Sequence, residues 1–111
     1  MKIIEKGGFQ GDVAFVRVDK LPENAVLTKE GRRVVVAHSE TGHHHVAVAE
    51  KVRLYGVGDP MVCYLASEGA YTDVVHEREH DQPEALRLPT GTWKVVRQRE
   101  WAPEGWRRVE D

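Results

Sequence analysis

Turn-forming residues recur so often in this chain that each ordered segment between them is short. Gly11-Asp12, Leu21-Pro22-Glu23-Asn24, Glu30-Gly31, Gly56-Val57-Gly58-Asp59-Pro60, Ser67-Glu68-Gly69 and Pro89-Thr90-Gly91 punctuate it from end to end. Proline presets φ, and glycine and asparagine accept left-handed backbone, so these clusters read as turns. The apolar residues between them are mostly β-branched or aromatic, the types that fit a pleated, half-buried surface. Strands are expected at Ile3-Ile4, Val13–Val18, Arg33–His38, His43–Ala49, Val52–Val57, Met61–Ala66, Tyr71–His76, Ala85–Leu88 and Thr92–Arg99. About nine short strands without a convincing helix imply an all-β fold, either a closed barrel or a two-layer sandwich. With 111 residues the chain has room for one β-rich domain spanning residues 1–111.

Charge and length exclude several function classes. A net charge of −2 does not suit a strongly basic nucleic-acid binder. No apolar run approaches the roughly 20 residues of a membrane-spanning helix, and no signal-peptide apolar region can be drawn at the start. The single cysteine, Cys63, has no internal partner for a disulfide. A reducing, cytoplasmic setting is therefore the expectation. Cys63 lies in the apolar run Met61-Val62-Cys63-Tyr64-Leu65 and reads as a buried thiol, not a nucleophile.

The histidines carry the unusual chemistry. All six fall in two clusters, His38-Ser39-Glu40-Thr41-Gly42-His43-His44-His45 and His76-Glu77-Arg78-Glu79-His80. Residues two apart on a strand share a face, so His43 and His45 point the same way, and so do His76 and His80. A second strand crossing the barrel would bring His76 or His80 to the same ion as His43 and His45, and Glu50 could add an oxygen. Three imidazoles and a carboxylate would leave one or two positions open and would suit Fe, Mn, Ni or Zn as the divalent ion. His38 ranks last among the candidates. A solvated histidine loop, or histidines bonded to backbone carbonyls, is the plainer alternative. His76-Glu77-x-x-His80 also spells the zincin pattern, but zincins need it on a helix. Val74, Val75 and Pro83 oppose a helix there.

The spacing His43-x-His45-x4-Glu50-x5-Gly56 resembles the first metal motif of the cupin superfamily, and Leu88-Pro89-Thr90-Gly91 resembles the Pro-x-Gly element of the second. The resemblance implies a small jelly-roll barrel holding a metal through three His and one Glu. The chain departs from that pattern at Ala37, where a glycine is expected, and at Lys94, where a histidine is expected. A fourth ligand would then come from His76 or His80. The segment His38–His45, the His76-Glu77-x-x-His80 pattern and Leu88-Pro89-x-Gly91-x-x-x-Val95-x-x-Gln98-Arg99-Glu100 are also similar to a group of small uncharacterised bacterial and phage proteins. That similarity implies a shared compact fold and a phage or prophage origin, with a virion as the alternative location, and no particular reaction.

The C-terminal quarter is the other distinctive region. Trp93, Trp101 and Trp106 are interleaved with Lys94, Arg97, Arg99, Arg107 and Arg108. Such a segment can bind single-stranded nucleic acid by stacking and phosphate contact. Here four acidic residues offset the six basic ones from Arg87 onward, and Trp93 and Val95 alternate like a core strand, so a nucleic-acid partner is not the expectation. Trp101, Trp106 and Arg107 are instead candidate interface anchors, for closing the barrel or for a homo-oligomer. The leading expectation is a cupin-like divalent-metal protein with no assignable substrate. Its rival is a non-enzymatic phage or prophage structural or accessory protein, in which the histidines form a clamp or an oligomer contact.

Overall fold

The computed structural model describes residues 1–37, 44–76 and 85–97. Nine strands occupy most of them: β1 (Lys2–Ile3), β2 (Gly7–Gln10), β3 (Val13–Val18), β4 (Val26–Ala37), β5 (His45–Gly56), β6 (Val62–Glu68), β7 (Tyr71–His76), β8 (Leu86–Pro89) and β9 (Thr92–Arg97). The described residues contain no helix, so none is long and apolar enough to cross a membrane. The all-β expectation holds, and the strands form one curled, half-barrel sheet in the order β1-β8-β7-β5-β6-β9-β3-β2, with β4 paired to β5. Every pairing is antiparallel except β1 with β8.

The long β4–β5 pair shapes the curl. β5 pairs with β7 through His45–Val48 and with β6 through Lys51–Gly56. The ladder to β4 breaks register between Gly31 and Arg33, opposite the stretch from Val48 to Val52 where β5 changes partner. An irregularity there lets one strand bend from one side of the curl to the other. Sequence reading puts loops or breaks at these places, at Glu30-Gly31 and between Ala49 and Val52. The bends are real, but pairing runs through them. β4 therefore begins at Val26 instead of Arg33, and two expected strands merge into β5. Gly7 and Gly8 lie in β2, because two glycines at an edge strand still pair through their backbone with Val16 and Phe15.

Alternation carries the core. On β7, Thr72, Val74 and His76 are buried; on β8, Leu86 and Leu88; on β9, Trp93 and Val95. They pack with Val13 and Phe15 of β3, Val34 and Val36 of β4, Ala47, Val52 and Leu54 of β5, and Leu65 of β6. Trp93 also donates its indole N–H to the Pro89 carbonyl at 3.0 Å. Removing a side chain as large as Phe15 or Trp93 from such a core costs about 3–5 kcal/mol. The sheet curls far enough for its edge strand to return to its middle: Gln10, the last residue of β2, donates from Nε2 to the Val74 carbonyl on β7 at 2.9 Å.

Candidate metal centre

His45 opens β5 and His76 closes β7, and the two are register partners across that ladder. Both lie on the core face of their strands, in phase with Ala47 and Val74. Their rings stack with centroids 3.9 Å apart and planes 16° from parallel. His45 is 1% exposed and His76 8%. Ala37 of β4 is the register partner of His45 on the other side, so the chain leaves β4 and β7 at the same end of the sheet.

A tight turn covers the stacked pair. β2 and β3 are joined by the two residues Gly11-Asp12, between the paired Gln10 and Val13. Gly11 has φ +61°, the left-handed backbone such a turn requires. A Cβ at Gly11 would stand 3.4 Å from His76 Cε1 and 3.6 Å from His45 Cε1, so the turn backbone sits directly against both rings. Its flanking side chains define the chemistry of His45. Gln10 spends its amide N–H on Val74, so its Oε1 faces His45 Nδ1, 2.8 Å away. An oxygen there accepts, so Nδ1 is the protonated nitrogen of the neutral ring. The Nε2 lone pair is left, and among the described residues Asp12 Oδ1 faces it at 4.0 Å.

Burial, followed by the proximity of His76, Arg97 and His44, lowers the His45 pKa from 6.5 to about 4. The ring is therefore neutral at pH 7, and Nε2 and the Asp12 carboxylate face each other as two electron-pair donors. A gap of 4.0 Å is too long for a hydrogen bond and suits one bridging atom. A histidine that donates one ring nitrogen to a fixed oxygen and presents the other is oriented as metal-ligating histidines are. Asp12 keeps 47% of its side chain exposed, so the site has a solvent side.

Of the residues singled out from sequence, His45 and His76 are brought together. Glu50 is not: it lies five residues along β5, about 17 Å at strand spacing, and an odd step puts it on the opposite face. It is exposed, beside the β6–β7 turn, with its Cγ 3.8 Å from where Gly69 would carry a Cβ. His38, His43 and His80 lie outside the described residues, as do Trp101, Trp106 and Arg107. Among the described residues no three His, Cys, Asp or Glu side chains gather around one point. Lys94 stands on β9 between the core-facing Trp93 and Val95, so it belongs to the other face. Gln10 and Asp12 were missed as candidates, because the Gly11-Asp12 turn reads as a break. Gly-Asp between two short extended runs is nevertheless a hairpin signal, and it could have placed both residues beside a turn.

A family model described as "Domain of unknown function (DUF8820)" matches residues 9–98, which include the turn, both histidines and the whole of β3 to β9. No curated protein and no solved structure matches the chain.

Proposed function

Since the chain belongs to the DUF8820 family of unknown function, its own geometry must carry the reading, and we propose that it binds a divalent metal ion, Fe, Mn, Ni or Zn, at the turn-covered end of the sheet. The observation that carries this is the Gln10–His45–Asp12 arrangement: the amide holds Nδ1 as a donor and leaves the Nε2 lone pair toward a carboxylate. His45 and Asp12 are the proposed donors. His76 stacks on the first of them and fixes its ring plane. His43 and His80, the other imidazoles of the two clusters, are proposed as further ligands on their place in the sequence alone. A bound ion with open positions would supply Lewis acidity.

Metal analysis of untagged protein is the test, after exposure to each of the four ions and dialysis. About one ion per chain should be retained. Asp12→Asn, a change at a half-exposed side chain, should abolish retention while the fold stays intact. His43→Ala and His80→Ala report separately on those two residues. Protein that keeps none of the four ions overturns the proposal.

A second reading rests on a different feature of the same cluster. Gln10 ties the β2–β3 turn to β7, and the histidine stack fills the space beneath it. In this reading the cluster is a structural clamp in a non-enzymatic accessory protein, which is where the phage or prophage resemblance belongs. Metal-free protein that is strongly destabilised by Gln10→Leu would favour it.

A further inference from the structure

The start of the chain steps across the open seam of the curl. β1 pairs with β8 at one edge of the sheet, and β2 pairs with β3 at the other. Residues 4–6 link them. Both sides hold this segment by backbone: the Ile4 N–H donates to the Arg87 carbonyl at 3.1 Å, and the Arg17 N–H to the Lys6 carbonyl at 2.8 Å. The Ile4 side chain is buried in the core, with Gly8 packed closely against it. Residues 2–10 are therefore a strap over the seam, anchored by packing at Ile4.

The other end of the strap is held differently. Among the described residues no ladder joins β2 to β7 or β5. Side chains cross the seam there: Gln10 reaches the Val74 carbonyl and His45, and the Gly11 backbone rests on the two rings. Asp12 Oδ1 and His45 Nε2 stand on opposite sides of the same seam, 4.0 Å apart. We propose that this end is a metal-operated latch: an ion taken by Asp12 and His45 locks residues 10–12 onto β5 and β7, and its release lets them lift. The latch rests on the metal binding proposed above, at the same two donors.

The coupling follows from where the donors sit. An ion held by both binds the closed form alone, so it stabilises closure according to its concentration relative to Kd. The end that lifts is the Gln10 end. Raising Ile4 would expose a buried apolar side chain, whereas Phe9 already lies 57% exposed on the outer side.

Amide hydrogen exchange of the full chain, read by segment, tests the latch. It is run without metal and with Zn²⁺, Fe²⁺, Mn²⁺ or Ni²⁺, and bound metal is measured on the same samples. Ion-free protein should exchange residues 7–13 faster than residues 62–68 of β6, the mark of local opening. A retained ion at about a hundred times its Kd should slow residues 7–13 by about a hundredfold. Asp12→Asn should keep the ion-free rates whether or not metal is added. Protein that retains an ion but exchanges residues 7–13 at an unchanged rate overturns the latch and leaves the metal site standing. Protein that retains none of the four overturns both. Ion-free protein in which residues 7–13 exchange as slowly as 62–68 has no local opening to control, and that result also overturns the latch.

Discussion

β5 carries a polar cluster at each end, and the two obey different physics. At its start, His45 is buried against His76 beneath the Gly11-Asp12 turn, and each partner is placed by backbone or amide hydrogen bonds. Toward its other end, Arg53 meets Glu68 at 2.6 Å and Glu30 at 3.4 Å, with Lys51 3.5 Å from the same Glu30 carboxylate. The second cluster has more formal charge and more ion pairs, yet its residues are all at least 28% exposed. Water and salt screen it, and its long side chains lose rotamer freedom to make the contacts. The first cluster has few charges but almost no water, so an unmet polar atom there is costly. Burial, not charge count, decides which of the two matters to the fold.

The sharpest way to break this comparison is to remove His45. His45→Ala leaves a cavity beside His76 and takes the partner from Gln10 Oε1, and it should cost roughly 3–4 kcal/mol. A lower urea midpoint with an unchanged slope would register the loss. A variant as stable as the parent would mean that the stack contributes nothing.

Acid provides the second test, in protein treated with a chelator. The folded His45 pKa, about 4, lies below the unfolded value of 6.5, so the fold favours the neutral ring. Its contribution is fully present above pH 6.5 and is lost as pH falls from 6.5 toward 4. The loss should reach up to about 3 kcal/mol at the acid end. His76, His44 and Arg97 oppose the incoming proton, and among the described residues the Asp12 carboxylate, 4.0 Å away, is placed to soften it. Urea melts across this window should slope downward in the parent and be flatter in His45→Gln.

Arg53→Ala should have the smallest effect. Its ion pair holds Glu68 below the usual carboxylate range, but the pair is open to solvent. The midpoint should move less than in either test above, and the difference from the parent should shrink further in high salt. A loss comparable to that of His45→Ala would reverse the comparison.

How legible the molecule was depends on which interactions act along the chain. The spans of β3 and β7 are read correctly from Val13–Val18 and Tyr71–His76, because period-two burial and turn residues are local signals. The bends in β4 and β5 are legible as breaks at Glu30-Gly31 and near Ala49, but their meaning is not. A run of polar residues looks the same whether the chain leaves the sheet or only bends within it. The candidate site was half legible. The two histidine clusters stand out by composition, and the structure joins His45 to His76. Glu50 has cupin-like spacing, yet strand geometry carries it away from His45.

Taken alone, the order of residues determined the all-β class, the spans of β3 and β7, the turns at Gly58 and Gly69, and the core face of β9. Each follows from the backbone preferences and polarity of near neighbours. Only the tertiary structure decided that Gln10 and Asp12, some 35 residues before His45, are its partners, and that β2 returns to β7. Those contacts depend on how far the sheet curls and in which register distant strands pair, and no local pattern in the chain encodes either.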